Sequence, residues 1–223
     1  MNAMTEDEQL DGLKSFFKKY GSAMLSGILI ALIAFFGWEY WQKKTLAENQ
    51  VRTAKIQQLI EDAKVAATNP AAYSALVASA DKLVKENPDS IHAIESQFIM
   101  ARIAYDKGDY AIAERELKKV ENSKLKDAGI LQIVKLRLAN AQLAQKKYDE
   151  ALKTLASVTE PAFKATAEEE KGDIYVAKND IENAKKSYQA AWDSLLERKQ
   201  ERQILQIKLE SVGILVDDPE LER

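Results

Sequence analysis

The sequence predicts an all-α protein: an N-terminal transmembrane helix followed by a stack of helix–turn–helix repeats. Three observations predict it. Tyr20 to Tyr40 reads YGSAMLSGILIALIAFFGWEY and carries no charge before Glu39. The 179 residues from Thr45 onward hold four glycines and four prolines among Ala, Leu, Lys, Glu and Gln. Those are strong helix formers, and their apolar members recur at a helical period. One pattern of small and large apolar residues also returns three times between Gly108 and Ala191.

The apolar stretch has the length of a membrane span. About twenty residues at a helical rise of about 1.5 Å cover roughly 30 Å, the thickness of a bilayer core. A helix satisfies its own backbone groups, as lipid requires. Phe16, Phe17 and Tyr20 precede the span, and Trp38, Tyr40 and Trp41 follow it. Such aromatics prefer the headgroup zone, so membrane lipid is an expected partner. Lys18, Lys19, Lys43 and Lys44 flank the span, where their stems can snorkel to phosphates. A cleaved signal peptide is disfavoured, because the run is too long and no small-x-small site closes it. Lysines number nearly the same on both sides, so charge alone does not orient the span. Lys14, Lys18 and Lys19 on the short side lean toward an N-inside anchor.

Before the span, Met1 to Asp11 reads as a mobile acidic tail and Gly12 to Lys19 as a short interfacial helix. After it, Trp41 to Ala67 either continues the anchor helix or bends near Thr45. Asn69-Pro70 closes that segment, since the residue before proline is pushed from α geometry. The next helices are expected at Ala72–Glu86, Ser90–Lys107, Tyr110–Val120, Ala128–Gln145, Tyr148–Val158, Pro161–Ala177 and Ile181–Leu196. A last helix is expected at Lys199–Leu215, stopped by Asp218-Pro219.

The repeat emerges when turns are aligned. GDYAIAERELKKV, KKYDEALKTLASV and NDIENAKKSYQAA begin at Gly108, Lys146 and Asn179. Tyr110, Tyr148 and Ile181 open the second helix of each unit. Ala113, Ala151 and Ala184 follow, then Leu117, Leu155 and Tyr188. Ala101, Ala139 and Gly172 are the matching small residues of the first helices. Small residues let paired helices approach, and the large ones fill the groove between units. The pattern resembles the tetratricopeptide repeat, although no tryptophan opens a unit and only the first turn has glycine. Val51 to Glu86 reads as a degenerate extra unit.

The wider layout resembles the YfgM-like ancillary subunits of the bacterial SecYEG translocon. The resemblance is carried by LKSFFKKYG at Leu13–Gly21, GWEYW at Gly37–Trp41 and the segment Glu86–Tyr110. It implies an inner-membrane anchor with its N-terminus in the cytoplasm and a periplasmic repeat domain. It also implies two partners, the SecYEG translocon and a membrane-anchored parvulin-like periplasmic chaperone. The implied role is passing translocated proteins to periplasmic chaperones; the alternative is a scaffold for another envelope assembly. With that resemblance the chain divides into 1–19 cytoplasmic tail, 20–41 transmembrane helix and 42–89 helical linker with degenerate repeat. Residues 90–198 form the repeats, and 199–223 the capping helix and C-terminal tail.

Composition narrows the function. The net charge of −3 offers no basic footprint for nucleic acid. Cysteine is absent, which removes disulfides, thiolate catalysis and Cys-ligated zinc. The lone His92 reads as structural or exposed. Glu168, Glu169 and Glu170 read as a solvated acidic run in the opening turns of a helix, where carboxylates suit the dipole. No nucleophile, base and oxyanion set assembles, and no cofactor motif occurs, so the chain is read as a non-enzyme. A protein-binding groove fits better. First-helix stripes Phe98, Arg102, Tyr105; Leu136, Asn140, Leu143; and Glu169, Asp173, Val176 align if the units stack, with Arg137 alongside. The expected groove residues are thus Phe98, Arg102, Tyr105, Leu136, Arg137, Asn140, Leu143 and Asp173; the alternative is that the apolar ones are core. Within the span, Ala23, Gly27 and Ala31 recur every four residues, a spacing that suits contact with a partner helix.

Overall fold

The computed structural model describes residues 6–66, 69–200 and 203–216. Regular structure among them is helical, without a strand: α1 (Glu6–Ala66), α2 (Pro70–Glu86), α3 (Ile91–Asp106), α4 (Tyr110–Lys118), α5 (Ala128–Ala144), α6 (Tyr148–Ala156), α7 (Lys164–Ala177), α8 (Ile181–Glu197) and α9 (Gln203–Ser211). A single 3-10 turn, Pro161–Phe163, leads into α7. The chain divides into two compact units, residues 1–54 and residues 55–223.

In the first unit, helix begins at Glu6, so residues 6–11 are not the loose tail expected; residues 1–5 lie outside the described residues. From Met24 to Phe36 the large apolar side chains are exposed, and none of the most hydrophobic window is buried. A soluble core helix would hide that surface, so the stretch has the properties of a membrane span. Polar side chains here turn back on their own helix. Ser26 Oγ donates to the Ser22 carbonyl and Thr45 Oγ1 to that of Trp41, each at 2.9 Å. Helix α1 passes through Thr45 without a break, which decides between the two sequence expectations there.

In the second unit each helix from α2 to α9 packs on the next. Several helix starts follow from side-chain caps. The Asn69 side chain accepts from the amides of Ala71 and Ala72, with Pro70 opening α2. Ser90 caps α3, Asp127 caps α5 and Asp180 caps α8, each accepting an amide three residues on. Leu59, Ala66 and the nearby Ile56 of α1 share a core with Leu76, Ala80, Leu83 and Met100.

The small positions of the aligned repeat are buried, and so are Leu117, Leu155 and Tyr188. Ala101, Ala113 and Leu117 share one cluster, and Ala139, Ala151 and Leu155 share the next. The third unit exchanges volumes. A Cβ on Gly172 would stand 2.3 Å from the Tyr188 ring, so glycine there is the counterpart of a tyrosine replacing leucine. The turns also match in conformation. Gly108, Lys146 and Asn179 all have positive φ, at 77°, 62° and 60°. In each the following amide reaches five residues back, as Asp109 to Ala104, Lys147 to Gln142 and Asp180 to Tyr175.

Charged groups tie neighbouring units together. The buried Glu114 carboxylate accepts from Lys118, Lys147 and Gln145. Burial opposes its ionisation, but those donors outweigh burial and hold its pKa down to about 2. The terminal helix is shorter than expected. Lys199, at φ 51°, ends α8 in another left-handed turn, and α9 covers Gln203–Ser211 only. Leu205, Leu209 and Val212 seat α9 against Ala184, Tyr188 and Trp192. The expected stop at Asp218-Pro219 lies outside the described residues.

Candidate protein-binding groove

Helix α3 touches α5, and α5 touches α7, so the first helices of the three units stand side by side. Between α3, α4 and α5 opens a cavity of about 380 Å³. Its polar and aromatic walls are Phe98, Arg102, Tyr105, Arg137 and Asn140. These are five of the eight groove positions expected from the sequence. The floor is Ala101, Ala113, Leu117 and Ala141, and two of these belong to the repeat's small positions. The small residues that let the helices approach thus also leave room above them.

The walls are organised by ring contacts and one ion pair. The Arg137 guanidinium lies 4.0 Å from the centre of the Phe98 ring. Tyr105 and Tyr110 meet edge to face at 4.9 Å. Arg102 Nε donates to Asp106 at 2.6 Å, on a largely exposed surface. Asn140 Nδ2 donates to Glu170 Oε1 at 3.1 Å, linking the cavity wall to α7.

The other three expected residues lie elsewhere. Leu136 is buried in the core with Ala139, Leu155 and Ile174. Leu143 packs half-buried against the same cluster. Asp173 accepts from the Tyr188 hydroxyl at 2.7 Å and from Lys208 Nζ at 2.8 Å, joining α7, α8 and α9.

Glu170 departs from the solvated acidic run expected of it. Burial raises its pKa to about 8; the Asn140 hydrogen bond lowers it, while the Asp173 and Glu169 charges raise it further. Its Oε2 is buried without a partner. Its neighbours behave more conventionally, with Glu168 paired to Lys171 and Glu169 to Lys208, each at 2.7 Å. A signal for Glu170 does exist in the sequence: aligning Gly172 with Ala139 places Glu170 where the middle unit carries Arg137.

In the span, Ala23, Gly27 and Ala31 are exposed, and a Cβ on Gly27 would meet nothing within 4 Å. The face they form is open within the first unit.

Comparison with known proteins matches this architecture to a family. Residues 14–214 match the model of a tetratricopeptide repeat-like domain. The chain is 31% identical over 209 residues to the ancillary SecYEG translocon subunit of Neisseria gonorrhoeae, covering 94% of this chain and 98% of that protein. The chain belongs to the ancillary SecYEG translocon subunit family. Members of that family from Aggregatibacter actinomycetemcomitans and Escherichia coli are 28% and 27% identical to it. They cover 93% and 83% of this chain, and 97% and 86% of their own lengths are matched. No solved structure matches the chain. The fold class and the family resemblance read from the sequence are therefore both borne out.

Proposed function

We propose that the chain is a membrane-anchored protein-binding subunit that associates with the Sec translocon. Its relatives are named as ancillary subunits of that translocon, over nearly their whole lengths. The observation that carries the reading is a fully unburied apolar span in the same chain as a repeat stack with an open, mixed apolar and cationic cavity. Mixed linings of this kind suit protein segments better than small polar metabolites. In this reading the N-terminus stays in the cytoplasm and the repeat domain lies in the periplasm. The domain then receives emerging chains and passes them to periplasmic chaperones, a membrane-anchored parvulin-like one among them. The cavity walls and the adjoining first helices are the protein-binding surface. Ala23, Gly27 and Ala31 give the span a face for a neighbouring helix.

Purification of the tagged full-length chain from membranes in mild detergent tests the association. Recovery of translocon subunits in stoichiometric amounts is the expected result. Recovery of a different envelope assembly without them would replace this reading with the scaffold alternative.

A further inference from the structure

Charge is uneven around the α3–α4–α5 cavity. Arg102 is matched by Asp106 at 2.6 Å, but Arg137 faces the cavity with no carboxylate partner among the described residues. Its guanidinium is stacked on Phe98, which fixes its plane without neutralising it. Burial and the adjacent Arg102 charge both lower its hold on its proton, the signature of a cation lacking its counter-ion. The next carboxyl along the wall is Glu170, reached through Asn140, and its raised pKa leaves it largely protonated at neutral pH. Among the described residues no anion therefore supplies the missing charge.

The cavity is also of limited size. At about 380 Å³ it stands near the lower end of ligand sites, enough for a few side chains. Beside the arginine, the floor of Ala101, Ala113, Leu117 and Ala141 is apolar and is edged by Phe98 and Tyr105. A carboxylate and an adjoining apolar side chain would satisfy the two halves together. Arginine suits the first because its planar fork can meet a carboxylate with two parallel hydrogen bonds.

We infer that this cavity binds an acidic–apolar peptide segment, with an internal Asp or Glu side chain on Arg137 and a neighbouring Leu or Phe on the alanine floor between Phe98 and Tyr105. The inference rests on the protein-binding role proposed above and specifies the chemistry that the groove selects. Arg102 assists as the second positive charge, and Asn140 orients the wall.

The test uses the full-length chain in detergent micelles and short labelled peptides with blocked termini, read by fluorescence anisotropy. One peptide carries Leu-Glu-Phe at its centre, a second carries Leu-Gln-Phe, and a third carries Leu-Lys-Phe. A fourth carries Leu-Gln-Phe with a free C-terminal carboxylate. The expected result is saturable binding of the Glu peptide, at least about tenfold tighter than the Gln or Lys peptide, equivalent to about 1.4 kcal/mol. Arg137→Gln should abolish that preference with little change in melting temperature, since among the described residues Arg137 makes no ion pair and only its stacking on Phe98 is lost. Equal binding of the Glu and Gln peptides would overturn the inference. So would an undiminished preference in Arg137→Gln, or a free C-terminal carboxylate that substitutes fully for the internal Glu. Photocrosslinking from Tyr105 in cells separates this inference from the broader reading. Captured partners with no acidic preference would leave the protein-binding role and remove the inference. An acidic preference with no captured protein would do the reverse.

Discussion

Lys146 holds a left-handed backbone conformation that the first repeat gives to glycine. Its φ is 62°, against 77° for Gly108 and 60° for Asn179. A Cβ in that region costs roughly 1 kcal/mol or more, least for Asn and Asp among residues with side chains. Lys146 is exposed, so little packing is lost with its side chain. Lys146→Gly should therefore raise stability by about 0.5–1 kcal/mol, after the greater freedom of glycine in the unfolded chain is subtracted. Urea denaturation of both proteins checks this, and a less stable variant would mean the turn is not strained. Glu170 yields a prediction with a pH signature. Its folded pKa of about 8 lies above the ordinary 4.5, so the unfolded chain releases its proton first. Stability therefore falls as pH rises from about 4.5 toward 8. Glu170→Gln keeps an acceptor for Asn140 and removes the titration. The variant should match the parent near pH 4 and exceed it near pH 8 by up to about 4 kcal/mol. A constant offset across that range would show that the carboxyl is ionised in the folded protein.

At the scale of elements, the repeat depends on paired volumes rather than on single side chains. Gly172 lies against the Tyr188 ring, where the other units pair alanine with leucine. Gly172→Ala alone should cost about 1–3 kcal/mol, because the ring must move and is also tied to Asp173. Tyr188→Leu alone loses ring packing and that hydrogen bond. The double variant restores the alanine–leucine pair of the other units and should be more stable than the sum of the single effects predicts. Strict additivity in thermal melts would mean the two positions do not share one packing site. Helix identity is legible in the sequence because Asn69, Ser90, Asp127 and Asp180 cap their helices through short side chains near polar breaks. The burial of Ala101, Ala139 and Gly172 is legible because three units share one offset. The start of α9 is less so, since Lys199, expected to open the last helix, carries no mark of the left-handed turn it adopts. Leu136 could not be assigned to core or groove from its stripe alone, because one helix face serves both. The Arg137–Phe98 stack depends on the approach of α3 to α5, which neither helix encodes locally.

For the whole molecule, the proposed function rests on carrying two surfaces in one chain. The first unit offers an apolar helix whose most hydrophobic window is unburied, and the second offers a cavity with an uncompensated arginine. Membership in the ancillary SecYEG translocon subunit family gives both a common setting. The proposed orientation is open to test. Protease added to cells with a permeabilised outer membrane should digest the repeat domain and spare the N-terminal segment. Complete protection of the domain would place it on the other side.

Site-specific photocrosslinking in native membranes tests whether the span and the cavity work beside the translocon. A photoreactive residue placed at Gly27 on the span should capture a translocon subunit, and one at Tyr105 should capture exported chains or a periplasmic chaperone. Both products should appear at the native level of the protein, and those from Tyr105 should decline when export is blocked. Capture of neither a translocon subunit from the span nor an exported or chaperone protein from the cavity would contradict the account.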